Sequence, residues 1–282
     1  MRSALLALAL VFALPTIARA DAVDEAYVQG NEKARAGDWP AAVRAYERAS
    51  VLLGQPSSAL SYNLGTAYAQ LGDVGRASLH LQQALDFRGN PTTEIAEAAR
   101  TNLAAVRRRA ELQAATTGAL IDRPETWWDL VVEMLRAPGV GWLALLAGVV
   151  ALAMLVLRRA RAAAGRRSAL PVAIWGGCVA CFAVLGTLHG LTLRADRTEP
   201  RAVILDARAD AREGPGTHRA APFAIAGGSR VRIADRTPGW ALVRLPGGIE
   251  GWVVESAVAE LDGPIGQSAA STSSQSSARR LQ

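Results

Sequence analysis

Two long uncharged segments, residues 139–157 and 169–193, dominate this sequence. They contain 19 and 25 residues, and about 20 apolar residues in an α-helix are enough to span the hydrocarbon core of a bilayer. The connecting residues 158–168 carry five arginines. A buried helical hairpin in a soluble protein is the alternative, but such helices rarely lack charge on every face. The sequence therefore predicts a two-helix transmembrane hairpin with a short arginine-rich loop.

Two separate signals predict the same topology. Residues 1–20 have the features of a signal peptide: Arg2, a short apolar run, and a cleavage pattern at Ala18 and Ala20. An uncleaved anchor is the alternative, and it also exports the residues that follow. Cytoplasmic loops concentrate lysine and arginine, so the loop at residues 158–168 is expected on the inside. Both ends of the chain are then expected outside.

Residues 21–115 are predicted to form a helical domain with an internal repeat offset by 35 residues. The repeat resembles the tetratricopeptide family, whose period is about 34 residues, and this implies an all-α solenoid. Its glycines allow helices to approach closely or to turn, and Tyr46 and Leu81 are expected to fill the space between repeats. A third unit is partial and is predicted to be a capping helix, with Arg107, Arg108 and Arg109 on a solvated face. The matched positions are Gly30, Gly37, Ala42, Tyr46 and Ala49, followed by Gly65, Gly72, Ala77, Leu81 and Ala84.

The resemblance also implies a concave groove, because the first helix of each tetratricopeptide repeat lines a surface that holds peptides or partner segments. The alternative is that two repeats make the groove too short for a specific ligand. The positions carried over to this sequence as a candidate peptide-binding groove are Tyr27, Asn31, Arg35, Tyr62, Asn63, Thr66 and Gln70.

Residues 116–138 are predicted to be a linker ending in an interfacial helix. Trp127 and Trp128 favour the headgroup region of a membrane, as does Trp142 one turn into the first span. The second span contains Cys178 and Cys181. Small residues commonly pack membrane helices together, and this interpretation is favoured over thiol redox or metal chemistry, which stays as an alternative.

Residues 198–262 change to short alternating stretches separated by glycine- and proline-rich turns, which predicts a small all-β domain. This region resembles a bacterial SH3-like domain and implies an SH3-like barrel. Such domains are often exported and bind cell-wall peptides or protein segments, so Trp240 and Trp252 form a candidate ligand site. The alternative is that both tryptophans pack the barrel. The resemblance is carried by residues 211–216, 228–233, 239–245 and 251–253, and the predicted strands are residues 202–205, 230–234, 241–245 and 251–254. The serine-rich residues 263–282 are predicted to be disordered.

The sequence offers little support for an enzyme, a cofactor, a metal site or a nucleic-acid partner. The net charge is +6, but five of the arginines lie in the loop and others alternate with acids. The three histidines are scattered over three regions, and the single lysine, Lys33, is not part of a phosphate-binding motif. Neither catalytic, cofactor-binding nor metal-ligating residues are therefore predicted.

The order of these regions over nearly the whole chain resembles the BatE family of aerotolerance-operon proteins. The resemblance implies a multidomain membrane protein of the bacterial inner membrane, with its N- and C-terminal domains in the periplasm. It further implies an adaptor that binds membrane proteins with von Willebrand A domains, in oxygen tolerance or envelope stress. A peptidoglycan-binding envelope sensor is the main alternative, and a membrane thiol enzyme is a third.

Overall fold

The computed structural model describes residues 2–122, 127–165 and 172–263. These residues contain eight α-helices and seven β-strands, so the protein combines helices with antiparallel sheet. They form two compact units: the first joins the chain up to Asp122 to the chain from Pro200 onward, and the second is Arg123–Glu199. Arg166, Arg167 and residues 264–282 of the predicted tail lie outside the described residues.

Five helices and one short 3-10 turn build the helical part of the first unit. Asp38 and Asp73 begin α2 and α4, where their carboxylates accept hydrogen bonds from Ala41 N at 3.2 Å and Arg76 N at 3.0 Å. The glycines before them, Gly37 and Gly72, have φ of +75° and +77°, which confirms the predicted turns. The helices are α1 (Arg2–Arg35), α2 (Trp39–Leu53), α3 (Ser58–Gln70), α4 (Val74–Ala84) and α5 (Thr93–Thr117), with the turn at Phe87–Gly89.

Two glycines allow the helices to pack in pairs, as the repeat predicts. A Cβ at Gly30 would lie 2.4 Å from the ring of Tyr46, and one at Gly65 would lie 2.7 Å from Leu81 Cγ. Tyr46 and Leu81 therefore cover the glycine of their own helix pair, α1 with α2 and α3 with α4. The sequence predicts that they fill the space between repeats. In the structure they occupy the space that a side chain at Gly30 or Gly65 would need.

Two antiparallel sheets form the β part of the first unit. The larger has the strand order β6-β5-β4-β1-β7, and the smaller pairs β2 with β3. Buried residues of both sheets, including Ile225, Val231 and Val243, share one apolar core. The strands are β1 (Arg201–Ile204), β2 (Arg208–Ala211), β3 (Phe223–Ala226), β4 (Arg230–Thr237), β5 (Trp240–Arg244), β6 (Glu250–Val254) and β7 (Val258–Glu260). Three of them, β2, β3 and β7, are additional to the predicted strands.

The helical and β parts pack against each other through α4. Leu79 shares a small apolar cluster with Val203 and Leu205, and Ser78 Oγ donates a hydrogen bond to Gly228 O at 3.1 Å. A Cβ at Gly75 would lie 2.0 Å from Leu205 O, so the backbones approach as closely as only glycine allows. The sequence predicts two separate modules, whereas the structure joins them in one unit.

The predicted linker at residues 116–138 is divided differently in the structure. Helix α5 continues to Thr117, and Leu120 then pairs with β3: Leu120 N donates to Ala224 O at 2.7 Å, and Ala226 N donates to Leu120 O at 2.8 Å. The first part of this stretch therefore extends the smaller sheet instead of leaving the domain.

The second unit contains α6 (Trp127–Arg136), α7 (Pro138–Ala163) and α8 (Val172–Thr198). Helical segments Gly139–Ala163 and Ile174–Thr198 are each long and apolar enough to cross a membrane, with mean hydropathies of 2.6 and 1.6. Gly148 lies against the ring of Phe182, where a Cβ would be 2.9 Å away, and Trp175 Nε1 donates to Ala151 O at 3.1 Å. The structure thus supports the predicted pair of spans, although α7 continues past residue 157 through the first loop arginines.

Helix α6, which the sequence predicts to lie at the membrane interface, makes polar contacts with α8. Arg136 Nε lies 2.8 Å from Asp196 Oδ2 of α8, and His189 Nδ1 donates to Leu135 O at 2.7 Å. The side chains of Trp127 and Trp142 are both more than two-thirds exposed. Exposed tryptophans beside a candidate span are typical of the headgroup region.

Candidate functional site

Three of the seven predicted groove residues form one hydrogen-bonded cluster. Asn63 Nδ2 on α3 donates to Tyr27 Oη at 3.0 Å and to Asn31 Oδ1 at 3.3 Å, both on α1. Tyr46 Oη on α2 donates to the same Asn31 oxygen at 2.8 Å, and burial raises the pKa of Tyr46, so its hydroxyl stays protonated. The cluster therefore ties three helices together: Tyr46 is buried, while the groove residues Tyr27, Asn31 and Asn63 are half-buried.

A second polar contact repeats this arrangement one helix further along. Asn102 Nδ2 on α5 donates to Thr66 Oγ1 on α3 at 3.0 Å. Its spacing of 36 residues equals that of the Tyr27–Asn63 bond. Both bonds link the first helix of one unit to the equivalent helix of the next, so these groove residues also hold the helices in register.

The remaining groove candidates are placed differently. Arg35 and Gln70 lie at the C-terminal ends of α1 and α3 and are exposed, whereas Tyr62 packs against the helical core. Arg35 and Gln70 are free of the polar cluster, which makes them the better probes of a partner in the groove. That the seven residues bind a peptide remains a prediction.

Trp240 and Trp252 lie on the same face of the larger sheet. Strand β5 pairs with β6 in the register Trp240 with Val254 and Leu242 with Trp252, and directly opposed residues share a face. The alternating positions Ala241, Val243 and Val253 are the buried ones. The tryptophans are half-buried on the opposite face, so the candidate ligand site is on the outside of this sheet rather than in its core.

Sequence reasoning missed an ionic cluster around Asp122. Its carboxylate is only 1% exposed, and Arg230 Nε lies 2.7 Å from Oδ2 while Arg107 Nη1 lies 3.3 Å from the same oxygen. Arg107 also hydrogen-bonds the Asp122 backbone carbonyl and pairs with Glu111 at 3.2 Å. The expectation of a solvated arginine face is thus incomplete: Arg108 and Arg109 are exposed, but Arg107 joins α5 to β4 through a buried carboxylate.

A stacked pair on the helical part was also missed. The rings of Tyr68 and His80 are parallel within 6° with centroids 5.5 Å apart, and Arg76 covers the Tyr68 ring at 5.9 Å. Burial raises the pKa of Tyr68, whose hydroxyl donates to Glu47 Oε1. Burial lowers the pKa of His80 to about 4, so the imidazole is neutral near pH 7. The cluster holds an uncharged histidine beside the contact with the β part.

The protonated nitrogen of His80 follows from its neighbours. Its Nδ1 lies 3.0 Å from Gln83 Oε1, because Gln83 Nε2 is directed at Leu261 O at 3.4 Å. An amide oxygen only accepts, so Nδ1 carries the proton and Nε2 keeps a lone pair.

One sequence signal could have found the contact between the two parts. Gly75 lies inside the first turn of α4, where a helix-disfavouring residue serves neither as a cap nor as a turn. Such a glycine indicates a close approach by another segment. Asp122 and Arg230 carried no comparable signal, because 108 residues separate them.

Among the described residues, no group of three histidine, cysteine, aspartate or glutamate side chains could hold a metal ion. Cys178 is half-buried and Cys181 is exposed on α8, and both are free thiols. Comparison with protein-family models, with curated proteins and with solved structures found no match to this chain.

Proposed function

We propose that this protein is a non-enzymatic, two-pass membrane adaptor that holds protein partners at one membrane surface. The observation that carries the proposal is the packing of the chain before the two candidate spans against the chain after them. Leu79 meets Val203 and Leu205, and Asp122 binds both Arg107 and Arg230. Segments on opposite sides of a bilayer cannot make these contacts, so they support two crossings that return the chain to its original side.

The charge of the loop supports one orientation. Arg158, Arg159 and Arg161 lie in the last turns of α7, at the end joined to α8 by a short loop. Loops rich in arginine stay in the cytoplasm. In this proposal the membrane is the bacterial inner membrane, and the helical and β parts are periplasmic.

The helical part is the proposed partner-binding surface. Hydrogen bonds from Asn63 to Tyr27 and Asn31 hold α1 and α3 together. All three side chains are only half-buried, so part of each is accessible to a partner. We propose a tetratricopeptide-like groove whose partners include membrane proteins with von Willebrand A domains, as the BatE-like domain order implies. The biological setting would be oxygen tolerance or envelope stress.

Site-specific photocrosslinking in native membranes tests the adaptor proposal. A photoreactive residue replaces Arg35 or Gln70, which are exposed positions of the proposed groove. Glu94, which is exposed at the start of α5, is replaced as the control. We expect specific protein adducts from the two groove positions and none from position 94. Adducts absent from both groove positions, or equal at all three, would contradict the proposal.

A second candidate function is binding of the cell wall through the SH3-like region. The observation that favours it is the position of Trp240 and Trp252 on the outer sheet face. In sedimentation with purified peptidoglycan, the full-length protein in detergent should pellet, and the double variant Trp240→Ala with Trp252→Ala should stay soluble. Trp142→Ala is the matched control. A wild-type protein that stays in solution removes this candidate.

A further inference from the structure

We propose that a cleft between α2–α4 and strand β7 binds an extended, uncharged peptide segment, which pairs with the open edge of β7. The cleft has a volume of about 510 Å³, within the usual range for ligand sites. It lies inside the first unit, and none of the residues of the two predicted ligand sites lines it. This inference deepens the adaptor proposal and rests on it, because it specifies the kind of partner that the adaptor holds. The apolar lining includes Leu60, Leu64 and Leu79 from the helices and Leu205, Val258 and Leu261 from the β part.

Among the described residues, β7 is an edge strand, and some of its backbone groups make no hydrogen bond to a neighbouring strand. It is the last strand of the larger sheet, and β1 is its neighbour on one side. Ala257 O accepts from Leu205 N at 2.8 Å, and Leu261 N donates to Arg201 O at 2.9 Å, so alternate residues of this stretch face β1. The backbone N–H and C=O of Glu260 therefore point away from β1, since antiparallel strands alternate in this way.

The residues that carry this open edge line the cleft. Ala259, Glu260 and Leu261 all contribute to its wall. The Val258 N–H is already directed at Glu255 O, so within the described part of the chain the outward donor without a backbone partner is that of Glu260. An extended peptide in the cleft can add to the sheet as a further strand. Several domains bind peptides in this way, with the affinity supplied mainly by main-chain hydrogen bonds.

The charges at the cleft favour an uncharged peptide. Arg88 Nε lies 2.9 Å from Asp86 Oδ1, and Arg236 pairs with Glu260. A charged ligand would have to displace one of these partners, whereas a neutral one leaves them in place. Glu255 adds a further negative charge to the wall, which disfavours acidic peptides.

The polar part of the lining offers neutral hydrogen bonds instead. Ser57 and Ser61 contribute hydroxyl groups, and Gln55 contributes an amide. His80 also lines the cleft as a neutral imidazole, and its Nδ1–H donates a hydrogen bond to Gln83 Oε1. These groups match the amide, hydroxyl and small apolar side chains of an uncharged peptide, with the leucines taking its apolar positions.

The test compares two substitutions at one residue. Glu260→Pro removes the outward N–H but leaves the bonds to β1, and proline is tolerated at a sheet edge. Glu260→Ala is the control, because it loses the same ion pair with Arg236 and keeps the N–H. The probe is a set of fluorescein-labelled, end-capped octapeptides in which leucine or valine alternates with serine or glutamine. Binding to the full-length protein in detergent is measured by fluorescence anisotropy.

We expect at least one peptide of the set to bind the wild type, with affinity reduced about 10-fold by Glu260→Pro and changed less than about threefold by Glu260→Ala. Hydrogen exchange at the Glu260 amide should slow when the peptide is bound. The inference is overturned if no peptide binds with Kd below about 1 mM, or if both variants weaken binding equally.

A second variant covers the case in which Glu260→Pro does not fold. Ser61→Trp fills the cleft from the helical side and should abolish binding, whereas Ser61→Ala should preserve it. Photocrosslinking from Gln70 separates the two proposals. Peptide binding without any crosslinked partner overturns the adaptor proposal alone, while crosslinked partners without peptide binding overturn the cleft alone.

Discussion

Asp122 is the last residue of the first unit before the chain continues toward the candidate spans. Its carboxylate is almost fully buried, and the arginines that neutralise it come from α5 and from β4. A buried carboxylate needs such partners, because desolvation of an unpaired charge costs several kcal/mol. Each arginine stays about one-quarter exposed, so water screens part of the attraction.

Replacing Asp122 by asparagine should therefore destabilise the first unit. Two arginines would face a neutral side chain, and we expect the free energy of unfolding to fall by about 2 kcal/mol, less than for fully buried pairs. Urea denaturation of the detergent-solubilised protein, followed by tryptophan fluorescence, measures the change. Asp210→Asn is the control, since Asp210 is half exposed and lies 3.6 Å from its partner Arg208. Equal effects of the two variants would argue against a structural role for Asp122.

The lowered pKa of His80 predicts that the folded protein loses stability as the pH falls. Its pKa in the folded protein is about 4, against an ordinary value of 6.5, because burial disfavours the charged ring. Between these values the unfolded chain binds a proton at this site and the folded protein does not, so lowering the pH favours unfolding. The stabilisation is fully present above the ordinary pKa and is lost as the pH falls toward 4.

The magnitude of this effect can be measured by removing the histidine. As the pH falls from about 7.5 to about 5, we expect His80 to lower the free energy of unfolding by about 2 kcal/mol. His80→Phe keeps a ring against Tyr68 and should flatten the pH dependence of urea denaturation over this range. His218→Gln, at an exposed position, should leave the dependence unchanged. A wild-type slope in the His80→Phe protein would contradict this assignment.

At the scale of helices, the paired glycines set the distance between α1 and α2 and between α3 and α4. A side chain at Gly65 would contact both the side chain and the backbone of Leu81, at 2.7 and 2.9 Å. The backbone contact cannot be relieved by a rotamer change. The helices would have to move apart, which exposes the apolar surface around Leu64 and Leu81.

Gly65→Ala should consequently destabilise the helical part, despite the higher helix propensity of alanine. We expect the free energy of unfolding to fall by about 1–3 kcal/mol, as for other overpacked contacts. Gly177→Ala is the control, because a Cβ there meets nothing within 4 Å in the described structure. Thermal unfolding monitored by circular dichroism distinguishes them, and a Gly65→Ala protein as stable as the wild type would show that the close approach is not required.

At the scale of the whole molecule, contact between the helical and β parts is the central feature of the first unit. An ideal Cβ at Gly228 lies 3.4 Å from Ser78 Cβ, close to the separation found in disulfides. The double variant Ser78→Cys with Gly228→Cys should therefore crosslink on oxidation, in a background with Cys178 and Cys181 changed to serine. Nonreducing electrophoresis after cleavage between residues 122 and 200 detects the bond.

The matched control for the disulfide is Ser78→Cys with Gly239→Cys. Gly239 has φ of +80°, like the +82° of Gly228, so both substitutions carry the same backbone strain, but position 239 faces open space. We expect no crosslink in the control. A crosslink in both variants, or in neither, would argue against the packed arrangement.

Membrane topology provides a second prediction at this scale. In the same cysteine-free background, Gln113→Cys and Pro246→Cys place thiols at exposed sites on the helical and β parts, and Ala162→Cys places one at the exposed end of α7. A membrane-impermeant maleimide should label the first two in intact spheroplasts and the third only after lysis. Labelling of Gln113→Cys and Pro246→Cys on different sides would exclude the shared unit.

Much of the local structure was predictable because its causes are local. The turns at Gly37 and Gly72, the caps at Asp38 and Asp73, and the helix that begins after Thr92 all follow from residues a few positions apart. The two candidate spans were predictable because length and apolar composition alone define them. The tetratricopeptide-like and SH3-like identities stay predictions, as do the ligands of their candidate sites.

Strands β2, β3 and β7 were missed for a physical reason. They contain three or four residues each and include alanine or charged residues, which are depleted in strands, whereas the equally short β1 is marked by its β-branched residues. Their stability comes from pairing with partners elsewhere in the chain, as when β7 pairs with β1. Short strands of this kind are decided by tertiary contacts.

By itself the sequence determined the order of the helical, apolar and β-rich regions, the candidate spans and the glycine positions where helices must meet or turn. Only the tertiary structure decided that the chain before the spans packs against the chain after them. The contacts responsible join Asp122 to Arg230 and Ser78 to Gly228, 108 and 150 residues apart. Periodicity and turn chemistry act over a few residues and carry no information on such pairs, which form only when two folded surfaces present complementary charge and shape.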